Sequence, residues 1–439
     1  MKDHCSDNNS IITVKFSNIV LIVLALALLI RIFLIFNYGN KLSTYSDDRN
    51  YVFGAISFIK NNVLVYGIAW PEEHAMIIMP GILFLLRLLF QIFGYDQTGM
   101  LLSKCIFAII GCFGIYGMYL IIEKTINRYV SLITIIILAI WPPLFLCDVL
   151  FLTQTPTTVS IIWFVYFVLR YCETKSDRDF ILLMITYIIQ LMFRNNFALI
   201  PIIFIFYFYH KKFPIKILIT KGIYAVIILS LVLSPWCVRN YNVVGRFVPT
   251  TGGIGDPLLG GTFSGKYFPK SEMQMNDYRT TLYDAKEENS LYNRMEREKN
   301  VAIERLTQWW RNDKKSLAKD YLFYKPKQSI VDIYYPITLL DIEKTLLQKI
   351  YYALLILALG GAVIGIFRRK TRQIVMIFSL IIIYSIILCG LFLPYPEYNY
   401  PILPFLFTLS GYAIYEVYQY YVILKKVFLQ AIKKEHEVN

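Results

Sequence analysis

Apolar runs with few or no charges follow one another along most of the chain, and short polar or basic clusters separate them. The first covers residues 16–36, and nine more lie at 105–122, 129–147, 149–169, 180–193, 195–209, 222–238, 350–367, 374–396 and 398–415. A helix needs about 20 apolar residues to cross a bilayer, and most of these runs approach that length. The pattern predicts an all-α polytopic membrane protein with about ten transmembrane helices.

The stretch 75–94 is apolar but is interrupted by Pro80-Gly81 and Arg87, which makes it a poor membrane span. Cytoplasmic loops carry an excess of Lys and Arg. Five basic clusters can all lie in the cytoplasm only if a single crossing separates the first polar loop from Lys124; the clusters are Lys124/Arg128, Lys175/Arg178, 210–216, 368–370 and Lys425/Lys426. We therefore expect 105–122 to cross and 75–94 to be re-entrant or interfacial.

With this orientation both termini lie in the cytoplasm. The outer face then carries the loop around Asp47, the turn at 148–154, Arg194-Asn195, the segment 239–349 and the turn at 394–400. We expect three parts: an N-terminal transmembrane module at 1–238 with an outer loop at 38–98, an outer-face subdomain at 239–349, and C-terminal helices with a basic tail at 350–439. In the middle part, Trp309 and Trp310 lie beside Lys and Arg, which is typical of an amphipathic helix at the headgroup level.

Composition supports a membrane protein and argues against a soluble domain and against a nucleic-acid-binding protein. Hydrophobic residues make up 57% of the 439 residues and charged residues only 17%, against about 25% charged in soluble domains. The net charge of +14 gathers in the short clusters between apolar runs, which argues against nucleic-acid binding. The polar segment 1–15 is not followed by a small-residue cleavage site, so we expect a retained first helix rather than a removed signal peptide.

The outer loop contains adjacent carboxylates in the string Asp47-Asp48-Arg-Asn-Tyr51. A solvated loop would tolerate such a pair, but a carboxylate is also the group that a reaction at the membrane surface needs as a general base. Downstream, the chain carries Pro80-Gly81, Arg194 after a short apolar run, the segment 234–241 (SPWCVRNY), and the segment 396–404 (PEYNYPILP).

In order and spacing, these elements resemble the glycosyltransferase C superfamily, notably the branch of protein O-mannosyltransferases and aminoarabinose transferases. Asp47 to Tyr51 resembles the Asp-Glu-x-x-Tyr of its first outer loop, and 234–241 resembles its Pro-Trp-x-x-Arg-Asn-Tyr segment. The resemblance covers about residues 10–415. It implies a bundle with outer-face juxtamembrane elements that moves a sugar from a polyprenyl-phosphate donor to a hydroxyl of a glycan, lipid or protein.

The resemblance also implies roles for individual residues. Asp47 is expected to be the catalytic base, with Asp48 as an orienting partner or metal contact, while Arg194 and Arg239 bind the donor phosphate. Further candidates for substrate contact are Tyr51, Glu73, Gln154, Asn240, Glu397 and Tyr398. A single displacement would invert the anomeric centre. No closed metal site is predicted, although a divalent cation is a possible cofactor. The family implies the cytoplasmic membrane of a bacterium, with the active site on the outer face.

Two positions depart from the family pattern, since Glu397 stands where Arg is usual and Gln154 where many relatives carry a second acid; Asp148 lies near the latter. Two alternatives stay open. An O-antigen-type polymerase or ligase would be expected to use Arg and His in its large outer loop, but 239–349 contains no histidine. A transporter or flippase would be expected to carry internal repeats and charges near the middle of its helices.

Overall fold

A computed structural model of the chain describes residues 4–67, 74–269 and 291–438, with side chains from residue 16 to residue 430 within those ranges. These residues form an all-α architecture. The helices are α1 (His4–Tyr38), α2 (Asp47–Asn61), α3 (Gly81–Phe93), α4 (Gln97–Thr125), α5 (Arg128–Ile140), α6 (Pro142–Cys147), α7 (Gln154–Thr174), α8 (Asp177–Phe193), α9 (Ile200–His210), α10 (Ile215–Val244), α11 (Gly255–Gly261), α12 (Leu291–Asn312), α13 (Lys314–Lys319), α14 (Lys325–Val331), α15 (Lys344–Phe367), α16 (Arg372–Leu391) and α17 (Leu403–Val438).

Every apolar run predicted from the sequence contains a helix, which confirms the all-α fold class. Within the described ranges, five helices are long and apolar enough to span a bilayer: α4, α10, α15, α16 and the part of α1 from Phe16 onwards. Three further apolar helices have only 10–17 residues. The predicted count of ten crossings is therefore not confirmed, although the chain is an integral membrane protein.

Prolines and polar caps account for the main differences in helix boundaries. The run 129–147 was expected to be one helix, but α5 ends at Ile140 because Pro142 and Pro143 begin the short helix α6. The next helix starts at Gln154 rather than at 149. Asn127 caps α5 by accepting hydrogen bonds from the backbone of Tyr129 and Val130, as an Asn N-cap does.

The interrupted stretch around Pro80-Gly81 forms α3, which has 13 residues. At 1.5 Å per residue, it is about 20 Å long, shorter than the roughly 30 Å hydrocarbon core. Arg87 is accommodated on this apolar helix because its guanidinium stacks 3.9 Å from the ring centre of Phe58 and donates a 3.1 Å hydrogen bond to Asn62. Its length agrees with the prediction that 75–94 does not cross the membrane as a regular helix.

Close helix packing holds the bundle together. The pairs α15 with α17, α7 with α8, and α4 with α5 and α7 pack most extensively. Gly361 and Gly365 on α15 allow the near approach of α17, since a Cβ on Gly361 would lie 2.0 Å from the carbonyl oxygen of Leu409. Small residues four apart are a common device for this purpose in membranes.

A buried ion pair ties α1 to the turn after α6. Arg31 donates from Nη2 and Nε to Oδ2 of Asp148, at 2.8 and 2.9 Å, and Thr155 donates to Oδ1 at 2.8 Å. Gly111 on α4 faces this pair, because a Cβ there would lie 2.4 Å from the Asp148 carboxyl carbon. A buried charge is tolerated only when it is paired and hydrogen-bonded, and this pair meets both conditions.

The described parts of 239–349 form a helical subdomain built from α11, α12, α13, α14 and the π-helical turn Asp320–Tyr324. The prediction of an amphipathic helix is matched by α12, but the two tryptophans differ. Trp309 is 2% exposed and donates its indole N–H to Ser316 at 2.7 Å, whereas Trp310 is 51% exposed. Trp309 is therefore part of the subdomain core rather than a headgroup anchor.

Candidate active site

The loops that the charge pattern assigned to one face meet at one end of the bundle. There they line two adjacent cavities of about 790 and 510 Å³. We call the larger one the Asp47 cavity; it is bounded by Asp47, Tyr66, Asp256, Arg294, Tyr334 and Glu397. We call the smaller one the Arg194 cavity; it is bounded by Thr153, Arg194, Asn195, Thr251, Tyr384 and a set of apolar residues.

Asp47 is the first residue of α2 and is half-buried at the wall of its cavity. A carboxylate in the first helical turn is favoured by the helix dipole. The phenol of Tyr66 donates to Oδ1 of Asp47 at 2.8 Å, and burial followed by the charge of Asp47 raises the pKa of Tyr66. Tyr66 therefore stays a proton donor that orients Asp47, and no side chain in the ranges 16–67, 74–269 and 291–430 donates a hydrogen bond to the second carboxylate oxygen.

Asp48 has a different environment from its neighbour. It is buried and accepts from the backbone N–H of Thr44 at 3.0 Å, from the Thr44 hydroxyl at 2.5 Å and from the N–H of Ser46 at 3.2 Å. These contacts hold the turn that leads into α2. Asp48 is not among the residues that line either cavity, so its visible role is to position Asp47.

Glu397 brings a second carboxylate to the Asp47 cavity from the turn before α17. Burial raises the pKa of Glu397, while the nearby Arg194 charge opposes that shift and the charge of Asp47 reinforces it. Tyr334 hydrogen-bonds to Glu397. Across the cavity, Asp256 comes from α11 and Arg294 from α12, where Arg294 is also paired with Glu298 at 2.9 Å.

The Arg194 cavity is mainly apolar, with side chains that include Met79, Phe193, Phe197, Leu199, Ile254, Leu388 and Phe392. Arg194 follows the end of α8 in extended backbone, because the chain turns through Asn195–Phe197 before Pro201 opens α9. Its Nε donates to Thr153 at 2.6 Å. Among the side chains lining this cavity, Arg194 supplies the positive charge, and a guanidinium is well suited to bind phosphate oxygens.

Tyr51 and Tyr398 stand where the two cavities meet, since both residues line both. Tyr51 is buried and its ring lies 5.7 Å from that of Tyr66. The ring of Tyr398 lies 5.5 Å from the guanidinium carbon of Arg194. A molecule with a long apolar part in one cavity and a polar head in the other would cross this junction, between a cation and a carboxylate.

Besides Asp48, three further predicted residues are not among those that line the two cavities. Arg239 donates to the carbonyl oxygens of Ala75 at 2.5 Å and Leu64 at 3.3 Å, and to Asn240, so it braces the loop before α3. Asn240 is buried and donates to the carbonyl of Val248 at 2.9 Å. Gln154 is buried at the start of α7. Glu73 lies outside the described residues.

Within the described ranges, no group of three or more His, Cys, Asp or Glu side chains is arranged to hold a metal ion. Asp47, Asp256 and Glu397 share a cavity without forming such a group. The residues described here therefore do not fit a protein-only metal site.

Comparison with known proteins identifies the architecture. The family model for dolichyl-phosphate-mannose-protein mannosyltransferases matches residues 74–238. The archaeal oligosaccharyltransferase AglB from Archaeoglobus fulgidus, solved with an inhibitory peptide and a dolichol-phosphate, superposes with a TM-score of 0.56 at 16% identity over 93% of this chain and 51% of that one. The apo form gives 0.56 at 17% identity over 94% of this chain and 52% of that one.

The chain shares the fold of these oligosaccharyltransferase structures. It spans about half the length of the oligosaccharyltransferase structures that it matches. A third structure of that enzyme, in complex with zinc and sulfate, gives a TM-score of 0.51 at 15% identity over 90% of this chain and 49% of that one. No curated protein matches the sequence.

Sequence reasoning missed several residues at the cavities. Tyr66, Asp256, Arg294 and Tyr334 line the Asp47 cavity, and Thr153 and Thr251 line the other. Asp256 lies shortly after Gly252-Gly253, and Arg294 lies on the predicted amphipathic helix. Their segments carried a signal, but no local pattern marks which side chain of a segment faces a cavity.

Proposed function

We propose that this chain is a membrane glycosyltransferase that moves a sugar from a polyprenyl-phosphate donor to a hydroxyl acceptor. The observation that carries the proposal is the junction at Tyr51 and Tyr398, which connects an apolar cavity holding Arg194 to a polar cavity holding Asp47. In the donor, the isoprenoid tail occupies the apolar cavity, the phosphate lies at Arg194, and the sugar reaches into the Asp47 cavity.

Asp47 is assigned as the general base. As the acceptor oxygen attacks the anomeric carbon, the carboxylate takes the hydroxyl proton, a contribution of roughly 10²- to 10⁴-fold for a well-placed base. Tyr66 holds the carboxylate in place through its 2.8 Å hydrogen bond. The bond from the anomeric carbon to the phosphate oxygen breaks in the same displacement, so the transfer inverts that centre.

Arg194 is assigned to the leaving group. The lipid phosphate gains negative charge as the sugar departs, and a fixed cation in a poorly solvated cavity stabilises that charge. The 2.6 Å hydrogen bond to Thr153 and the cation–π contact with Tyr398, 5.5 Å from the ring centre, hold the guanidinium before the donor arrives. Because Arg239 binds backbone carbonyls, we assign it to loop structure, and we assign Asp48 to positioning Asp47.

The acceptor enters from the side of α11 and α12, where Asp256 and Arg294 offer polar contacts to a glycan, lipid or peptide hydroxyl. The basic clusters between the apolar runs support an orientation with the two cavities on the outer face of the membrane, by the charge rule; in a bacterium that membrane would be the cytoplasmic one. A divalent cation would need donor or acceptor oxygens to complete its shell, and no step here is routed through one.

The test is transfer by the full chain in lipid nanodiscs, with a panel of polyprenyl-phosphate sugars and release of polyprenyl phosphate as the readout. We expect Asp47→Asn to lower the rate by about 100-fold or more, as for loss of a general base. Glu304→Gln is the matched control, since Glu304 is an exposed carboxylate that lines neither cavity. Full activity of Asp47→Asn would remove Asp47 from the mechanism.

A further inference from the structure

The helical subdomain presents an exposed apolar surface at the far end of α12 from Arg294. A groove of about 360 Å³ runs between Ile303, Leu306, Trp310, Leu317 and Tyr321. The next two residues of the π-helical turn, Leu322 and Phe323, are 68% and 66% exposed. We call the set formed by Ile303, Leu306, Trp310, Leu317, Leu322 and Phe323 the Trp310 surface. Large apolar side chains in such a contiguous patch usually mark a contact with lipid or protein.

The segment that follows the Trp310 surface packs against the end of a long apolar helix. On α16, one of the helices long enough to span the membrane, Ile383, Ile387 and Leu391 form an exposed stripe with a spacing of four residues. That stripe ends beside Gly390, where a Cβ would lie 2.8 Å from the ring of Pro326. Because Pro326 is three residues from Phe323, the turn that carries Leu322 and Phe323 lies close to the C-terminal end of α16, where the stripe ends.

Basic residues surround the surface in the manner of an interfacial segment. Arg311, Lys314, Lys315 and Lys319 are exposed along α12 and α13, and Lys314 lies 5.2 Å from the ring centre of Trp310. Exposed acids in the same stretch are fewer, namely Glu304 and Asp313. A tryptophan with an apolar groove and flanking Lys side chains matches the headgroup layer of a membrane with acidic lipids.

We propose that the Trp310 surface is seated in the headgroup layer of the membrane that the bundle spans, with Leu322 and Phe323 inserted among the acyl chains. The occupant is a lipid surface with acidic headgroups. Contact of the Trp310 surface with the headgroup layer holds one end of α12 at the membrane. The other end of α12 carries Arg294 at the Asp47 cavity, so the helix is anchored at both ends. The proposal does not depend on the reaction assigned to the cavities.

The experiment places the photo-crosslinking residue p-benzoylphenylalanine at position 323 of the full chain in nanodiscs that contain phosphatidylglycerol and phosphatidylcholine. Gln308 is the matched control position, because it is exposed on α12 and lies outside the groove. After irradiation, intact-mass spectrometry is expected to find phospholipid adducts at 323 and none above background at 308. Adducts to protein at 323, or an equal yield of lipid adducts at both positions, would overturn the proposal.

A second readout does not depend on the crosslinker. Quenching of tryptophan fluorescence by brominated lipids in the same nanodiscs is expected to be weaker in Trp310→Phe than in the wild type, because the lipid-accessible indole is lost. Trp309→Phe is the comparison, since that indole is buried. Unchanged quenching in Trp310→Phe would contradict the seating even if position 323 gave a lipid adduct.

Discussion

Two acids in this chain, Asp47 and Asp148, have opposite surroundings. Asp148 is fully enclosed, and Arg31 and Thr155 satisfy its oxygens; the adjoining void measures about 30 Å³. Asp47 borders a cavity of about 790 Å³ and, among the described side chains, Tyr66 is the one that hydrogen-bonds to its carboxylate. A satisfied carboxylate braces the fold, whereas one with spare acceptor capacity beside a cavity is available to a substrate.

Breaking the Arg31–Asp148 pair tests the structural side of this comparison and has the largest expected effect. Arg31→Met leaves Asp148 buried without its cation, which for buried pairs costs about 3–5 kcal/mol. Thermal unfolding in detergent should show a lower midpoint. The double variant Arg31→Met/Asp148→Asn should recover part of the loss, because no uncompensated charge remains. Equal stability of Arg31→Met and the wild type would show that the Arg31–Asp148 pair does not stabilise the fold.

Removing the charge of Arg194 tests the donor side of the junction. Arg194→Met should weaken binding of polyprenyl phosphate by about 2 kcal/mol, roughly 30-fold in Kd, as for a hydrogen bond to a charged group. Lipid-binding measurements by native mass spectrometry check this. Arg239→Met is the comparison, and because its guanidinium contacts backbone carbonyls, we expect it to lower stability more than donor affinity. An unchanged Kd for Arg194→Met would exclude Arg194 from the phosphate site.

Deleting the phenol oxygen that orients Asp47 has a smaller effect. Tyr66→Phe removes one hydrogen bond of 2.8 Å and should slow transfer by about five-fold, close to the 1 kcal/mol of a typical hydrogen bond. The Kd for polyprenyl phosphate should stay the same, since Tyr66 does not line the Arg194 cavity. If Tyr66→Phe instead weakened donor binding and left the transfer rate intact, the assignment of the two cavities would be reversed.

The pH dependence of donor binding tests whether Glu397, which lines the Asp47 cavity, competes with the donor phosphate for Arg194. Burial raises the pKa of Glu397, so its carboxyl keeps its proton above the ordinary value for Glu. Above the raised pKa, ionised Glu397 competes with phosphate for Arg194. The donor Kd should therefore increase as pH rises through that pKa, by about two- to five-fold, the range for a partly exposed ion pair.

Glu397→Gln provides the control for this pH effect, because the amide cannot ionise. Its donor Kd should stay flat across the range in which the wild type weakens. Any step that persists in Glu397→Gln would belong to another group and would remove Glu397 as the competitor for Arg194.

The sequence sufficed to predict the helical class and the loops that converge, because apolar runs and basic clusters respond directly to the bilayer. It did not reveal that Arg31 pairs with Asp148, since a contact between residues 117 positions apart leaves no local pattern. Asp48 and Arg239 match the family motifs, and the sequence did not reveal that most of their hydrogen bonds join backbone groups. The end of α5 at Ile140 depends on the pair Pro142-Pro143, which a pattern of hydrophobicity alone does not reveal.

The central claim is that Arg194 binds the lipid phosphate in one cavity and Asp47 acts as the general base in the other. It is tested most directly by measuring polyprenyl-phosphate binding and sugar transfer on the same Asp47→Asn protein. The account predicts that this variant binds polyprenyl phosphate with the wild-type Kd while transfer falls by about 100-fold. A variant that loses lipid-phosphate binding together with transfer, or that retains both, would contradict it.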